Sequence, residues 1–345
     1  MSWVAYNSDF NPSLKVKILI MLFSIVMIVV GLVVLVWSAD LFVDGAAGVA
    51  HTLGMSNLLV GMIVIGFGTS APEMSVSVIS ALQGNPSIAL GNAYGSNITN
   101  IALILGLTAL ISPVIIRSQV LRKELPILLG ATLLAYVNLY DGRITRLEGV
   151  VELVALFAVL TWMRLENRQQ MPNIDALEVE VEASLKPMQA KKAWVLLIIG
   201  LLLLVFSSRM LVTGAVDIAH YFGVSDLIIG LTVIAIGTSL PELAASISAA
   251  SKGKHDLAVG NVIGSNLFNT LAVVGLAGVI KPMQIPIDVI SRDWIMMLGL
   301  TLLLFVLGYQ RKKLGDHNIN RWGGALLLAL YIAYTLYLIA GVLSV

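Results

Sequence analysis

Apolar residues along the chain gather into about ten runs, separated by short clusters of charged and turn-forming residues. The runs lie near 16–38, 57–83, 87–111, 124–140, 147–163, 193–219, 225–251, 256–280, 294–309 and 323–344. A helix that crosses a bilayer needs roughly 20 mostly apolar residues, so the pattern predicts an all-α membrane protein of ten transmembrane helices. The fourth, fifth and ninth runs are the shortest. A polar stretch divides five runs from the next five, which gives a flexible N-terminus at 1–15, a first five-helix repeat at 16–165, a cytoplasmic linker at 166–192 and a second five-helix repeat at 193–345. The first run, followed by the small residues Gly45-Ala46-Ala47-Gly48, has some look of a secretion signal. It is read as a retained helix, because it maps onto the interior run around Val195–Val205.

That mapping is part of a repeat. Gly68-Thr69-Ser70-Ala71-Pro72-Glu73 and Gly91-Asn92-Ala93-Tyr94-Gly95-Ser96-Asn97 recur as Gly237-Thr238-Ser239-Leu240-Pro241-Glu242 and Gly260-Asn261-Val262-Ile263-Gly264-Ser265-Asn266, always 169 residues later. Each half holds an odd number of runs, so the second inserts upside down relative to the first, the plan of transporters whose sites lie near the midplane at discontinuous helices. With the N-terminus outside, fourteen Lys and Arg residues fall in inner loops and six in outer ones. The excess of basic residues in cytoplasmic loops favours both termini outside, in the plasma (inner) membrane.

Composition agrees: 58% hydrophobic, 12% charged, mean hydropathy +0.93, against about 25% charged residues in a soluble globule. A net charge of +1 offers no basic field for nucleic acid. The absence of cysteine removes disulfides, thiolate metal sites and redox chemistry. No nucleotide or phosphate motif and no hydrolase metal spacing is present, so neither an enzyme nor a cofactor is expected.

The chemistry sits in the doubled motifs. Proline inside a helix removes an amide donor and frees the carbonyl four residues earlier, so Pro72 releases Gly68 C=O and Pro241 releases Gly237 C=O. In hydrocarbon such carbonyls persist only where protein, water or an ion satisfies them. Thr69, Ser70 and Ser77 lie at helical spacing around Glu73, and Thr238, Ser239 and Ser246 around Glu242. In the next run of each half, Ser96 and Asn100 are four apart, as are Ser265 and Asn269. Carboxylate, carbonyl and hydroxyl oxygens are the hard ligands that calcium takes, six to eight at a time, and they suit dehydrated sodium as well. A mid-membrane acid costs about 3 kcal/mol on the insertion scale, and no Lys or Arg lies in the neighbouring runs to pair with either glutamate; Arg209 is the one arginine well inside a run. A transported cation explains the two acids better than a structural role does. Gly61, Gly230, Gly106 and Gly275 read as helix-packing residues.

Other features carry less. Asp40 and Asp44 near the end of the first helix read as solvated or locally paired rather than as an ion entry path. His51 and His220 occupy matching loop positions and read as turn or packing residues rather than proton sensors. Arg292-Asp293 reads as a helix-end anchor, Trp194, Trp294 and Trp322 as interface anchors, and Glu178–Glu182 as a solvated acidic connector rather than a calcium sensor.

The paired Gly-Thr-Ser-x-Pro-Glu and Gly-Asn-x-x-Gly-Ser-Asn segments resemble the two alpha-repeats of the sodium/calcium exchanger family, prokaryotic type, within the cation/calcium antiporter superfamily. The resemblance implies inverted five-plus-five repeats with helices 2, 3, 7 and 8 broken around a midplane site, alternating access, and exchange of calcium for sodium by a chain that functions as a monomer. It also implies that Glu73 and Glu242 bridge calcium with the carbonyls of Thr69 and Thr238. Sodium ligands would come from Ser70, Ser239, Ser96, Ser265 and the carbonyls of Gly66 and Ala235, with Asn100 and Asn269 at the centre. Many exchangers of the family carry Asp where this chain has Asn269, so the centre here has two formal negative charges rather than three. That departure keeps a calcium/proton antiporter in view, and a cation channel is the less favoured alternative.

Overall fold

The computed structural model describes residues 14–170, 188–223, 235–309 and 317–343. The chain is almost wholly helical, and its apolar surface faces outward. The first helix, α1 (Leu14–Leu53), turns Leu19, Phe23, Val33 and Trp37 away from the protein, as expected of a helix solvated by lipid tails. Next come α2 (Asn57–Thr69), α3 (Ala71–Leu82), α4 (Ser87–Ile111), the strand β1 (Val114–Ile116), α5 (Leu125–Leu139), β2 (Arg143–Ile144) and α6 (Arg146–Gln170). The second half runs α7 (Ala190–Tyr221), α8 (Ala235–Thr238), α9 (Leu240–Ser251), α10 (His255–Ile280), β3 (Met283–Gln284), α11 (Val289–Gly308), β4 (His317–Ile319) and α12 (Arg321–Leu343). Among the described residues six helices are long and apolar enough to cross a membrane, and the α2–α3 pair, bent by 44° at Ser70, makes a seventh. The chain is thus a multi-pass membrane protein. Of the remaining predicted runs, α5 is only 15 residues long, and Arg146, Glu148, Glu152 and Arg164 interrupt α6. The start of the run at 225–251, Gly230 and the acidic connector lie outside the described residues.

Glycine sets the closest helix approaches. A Cβ on Gly200 would lie 2.6 Å from Phe42 N, and one on Gly214 2.6 Å from Ser24 O; at the matching positions of the first half, Gly31 and Gly45 meet the backbone of Leu211 and Leu197. These four positions, two per half, let α1 and α7 cross backbone to backbone, the way small residues bring membrane helices together. Gly61, Gly106 and Gly275 likewise face the carbonyls of Leu257, Gly324 and Gly149, which bears out their reading as packing residues. Two buried clusters result. One centres on α4 and α10, with Ile98, Ile101, Val273 and Val274; the other lies between α1, α7 and α9, with Phe42, Val43, Leu197 and Ala249. The short strands pair antiparallel, β1 with β4 and β2 with β3, and so tie connections of the first half to connections of the second.

The structure corrects three expectations. Helices 3 and 8, here α4 and α10, are continuous rather than broken. Proline stands only at the flanks of α4, as Pro86 and Pro113, and none lies within α10; the strain appears instead as π-helical turns at Thr99–Leu105 and Phe268–Val273. His51 and His220 are not in loops but in the last turns of α1 and α7, where a basic group suits the helix dipole. Trp294 is buried, its Nε1 donating to Thr132 O at 2.9 Å and its ring 4.5 Å from that of Tyr136; Trp194 and Trp322 are exposed. The anchor at Arg292-Asp293 is an ion pair whose aspartate is itself buried and also accepts from Tyr334 Oη at 2.8 Å. Asp40 and Asp44, by contrast, are paired as expected: Lys252 and Lys254 each reach Asp44 at 2.9 Å, and Ser248 Oγ donates to Asp40 at 2.6 Å.

Candidate ion-binding site

Both prolines act where the sequence places them. Pro72 and Pro241 occupy the first turns of α3 and α9, and Ser70 and Ser239 form the turns that precede them. Beyond each break the first-turn glutamate is buried: Glu73 is 0% exposed and Glu242 2%. Neither has an ion-pair partner among the described residues. Both oxygens of Glu73 and Oε2 of Glu242 have no hydrogen-bond partner among the described residues. The other Glu242 oxygen stands 3.5 Å from Ser70 Oγ.

Contacts between the halves close the site. Thr69 Oγ1 lies 3.2 Å from Asn261 Oδ1 and 3.4 Å from Ser265 Oγ; Asn97 Nδ2 donates to Thr270 Oγ1 at 2.8 Å, and Asn100 Nδ2 to Asn266 Oδ1 at 3.0 Å. With its amide nitrogen so engaged, Asn100 keeps Oδ1 without a partner among the described residues, and the same holds for both Oδ1 and Nδ2 of Asn269, 0% exposed, and for Ser239 Oγ. Buried polar groups are nearly always hydrogen-bonded, and an orphan costs about 1–3 kcal/mol. Here seven unsatisfied atoms come from five of the residues that sequence reasoning singled out: Glu73, Glu242, Ser239, Asn100 and Asn269. Of the remaining expected ligands, Ser96 and Ser265 are buried in α4 and α10. The Gly66 carbonyl already accepts from Ser70 N–H at 3.1 Å, which leaves it one lone pair. Thr238 ends α8 and Ala235 begins it.

Two features escaped the sequence reading. Asn92 Nδ2 donates to Glu73 O at 3.3 Å and Asn261 Nδ2 to Glu242 O at 3.1 Å. The first asparagine of each Gly-Asn motif therefore pins the main chain of the bend, and the equal spacing in both halves was the available signal. The Gly237 carbonyl freed by Pro241 is not left for an ion; Ser208 Oγ on α7 donates to it at 2.7 Å. Ala39 stands at the matching position of the first half, so the bends are not satisfied alike. Ser208→Ala removes that donor from a buried carbonyl, and a loss of about 1–3 kcal/mol is expected, read as a lower midpoint of thermal unfolding in detergent.

The sodium/calcium exchanger protein family matches residues 23–165 and 192–340. CaxA of Alkalimonas amylolytica is 46% identical over 315 residues, 91% of this chain and 98% of that one. The chain belongs to the sodium/calcium exchanger family. This exchanger-family protein is also 27% identical to the sodium/calcium exchanger MaX1 of Methanosarcina acetivorans, over 90% of this chain and 97% of that one. Its fold matches the solved structure of the sodium-calcium exchanger NCX_Mj soaked with sodium and strontium, with a TM-score of 0.76 and 30% identity over 91% of this chain and 97% of that one. It is a membrane-embedded antiporter of the cation/calcium class.

Proposed function

We propose that this protein is a secondary antiporter that exchanges calcium for sodium across the plasma (inner) membrane by alternating access, with ten helices in two inverted repeats and both termini outside. The observation that carries the proposal is the set of unpartnered buried oxygens around Glu73 and Glu242. Two carboxylates and a fan of neutral oxygens suit calcium, which takes six to eight oxygen ligands in flexible geometry, and the same oxygens suit sodium. Because the ions compete for one set of ligands, the site holds one or the other before the protein changes face. Empty, it would carry two uncompensated charges through the switch, and that barrier couples the fluxes. In everted membrane vesicles, labelled calcium should accumulate when an opposing sodium gradient is imposed; no uptake under sodium, potassium or proton gradients would end the reading.

The neutral Asn269, whose amide atoms have no partner among the described residues, favours one rival, calcium/proton exchange, since a centre of two carboxylates is able to release calcium by taking up protons. Calcium uptake driven by a pH gradient in sodium-free medium would select it. Asn269→Asp adds a third charge at the centre, so a steeper sodium dependence of calcium uptake is expected, with calcium binding retained. An unchanged sodium Hill slope and pH profile would show that this position does not tune coupling.

A further inference from the structure

A second group of carboxylates lies at the end of the molecule that carries Arg122, Lys123 and Arg164. Glu124, in the π-helical turn Val120–Glu124 ahead of α5, is 5% exposed. Its Oε1 accepts from Gln119 Nε2 at 3.1 Å, and its Oε2 has no partner among the described residues. Glu124 lines a cavity of about 20 Å³ together with Gln119, Ser56, Met62, Trp162 and Glu166. One water needs about 10–15 Å³ on this scale, so the space suits a single small ion.

The other repeat supplies the comparison. Shifted by the same 169 residues, Lys123-Glu124 becomes Arg292-Asp293, and the matching π-helical turn spans Val289–Trp294. Asp293 is as buried as Glu124, but both of its oxygens are filled: Arg292 donates to Oδ1 at 2.6 Å and to Oδ2 at 3.1 Å, and Tyr334 Oη adds a bond at 2.8 Å. In the first half Lys123 turns instead to Glu166. The same buried acid is therefore neutralised in one repeat and left with an open oxygen, a cavity and a second carboxylate in the other.

We propose that Glu124 and Glu166, with the amide oxygen of Gln119 and the hydroxyl of Ser56, bind a second calcium ion that is not transported. All four donors are hard oxygens, and the two carboxylates face one small space, where a divalent cation offsets their repulsion. Ser56 caps α2, its Oγ accepting from Leu59 N–H at 3.3 Å, and α2 leads directly to the bend at Ser70 and to Glu73. Calcium here would join the start of that helix to α6 and so report the ion on this face to the transport site. Lys123 is the built-in competitor, since it holds Glu166 when no ion is present.

Binding at this site does not depend on the transport reading, though its regulatory effect does. The test is equilibrium binding of labelled calcium to the purified full chain carrying Glu73→Gln and Glu242→Gln, which disables the central site. One calcium per chain should remain, and it should be lost on adding either Glu124→Gln or Glu166→Gln, with size-exclusion profile and thermal unfolding checked for each variant. In the same background Lys123→Met should tighten calcium binding up to about fivefold, the most that a partly exposed ion pair of about 1 kcal/mol is able to withhold. Absence of the residual calcium, or residual binding indifferent to Glu124→Gln and Glu166→Gln, would overturn the proposal. Failure of sodium-driven uptake in the unmodified protein, with this binding intact, would instead count against the transport reading alone.

Discussion

Glu73→Gln should fold, insert and lose most of its calcium uptake. The substitution keeps the volume of a side chain that is fully buried, exchanges one acceptor oxygen for an amide group that donates, and removes one of the two formal charges proposed to hold the ion. Loss of one member of a buried charge pair costs about 2–5 kcal/mol, so calcium-dependent uptake in vesicles should fall by about 30-fold to several thousandfold. Stability should move the other way. With no cation bound, the native glutamate is an uncompensated acid inside the membrane, a burden of about 3 kcal/mol, and the glutamine variant is free of it. In calcium- and sodium-free detergent the variant should therefore melt at or above the temperature of the parent, while the rise in melting temperature that calcium gives the parent should vanish. Glu242→Gln should do the same. A variant that retains uptake, or that melts lower than the parent without ions, would mean that the carboxylate is a structural group rather than a ligand.

Gly264→Ala should abolish most transport without touching a ligand. A Cβ at Gly264 would lie 2.6 Å from Met62 Cα, and one at the neighbouring Gly260 2.5 Å from Leu58 O. Those partners are backbone, so α10 and α2 must separate to admit a methyl group. Overpacking of this kind costs about 1–3 kcal/mol. Its effect on the site is direct, because Ser265, the next residue, and Asn261 meet Thr69 across this same interface. If the strain is taken from ion binding, the loss in apparent affinity is about 5- to 150-fold, visible as a higher calcium concentration for half-maximal uptake. Gly299→Ala is the control: nothing among the described residues lies within 4 Å of its Cβ, and it is exposed on α11. There the extra methyl should be neutral or stabilising by up to about 1 kcal/mol. Equal damage from both substitutions would remove the case for a tight α2–α10 contact as the support of the site.

How far the sequence reached depends on what kind of signal each feature leaves. The doubled Gly-Thr-Ser-x-Pro-Glu segment was legible because a proline beside an acid in an apolar run has few physical purposes, and the bend at Ser70 and the helix break at Ser239 are where it places them. The continuity of α4 and α10 was not, since Gly, Asn and Ser lower helix propensity while tertiary contacts such as Asn97 to Thr270 and Asn100 to Asn266 hold the helices together. Trp294 misled for a similar reason: tryptophan at a helix start is typical of the membrane interface, but the Thr132 carbonyl gave its N–H a partner inside. Ser208 left no signal, because one serine in a long apolar helix has no pattern until its partner, 29 residues away, is known.

The amide at position 269 has a consequence for energetics across the bilayer. A binding centre with two formal charges is neutralised by one calcium or by two sodium ions, and a cycle built on those loads moves no net charge in either direction. Membrane voltage, worth about 2.3 kcal/mol per elementary charge at 100 mV, would then neither drive such a carrier nor resist it, and the chemical gradients alone would set how low it is able to bring internal calcium.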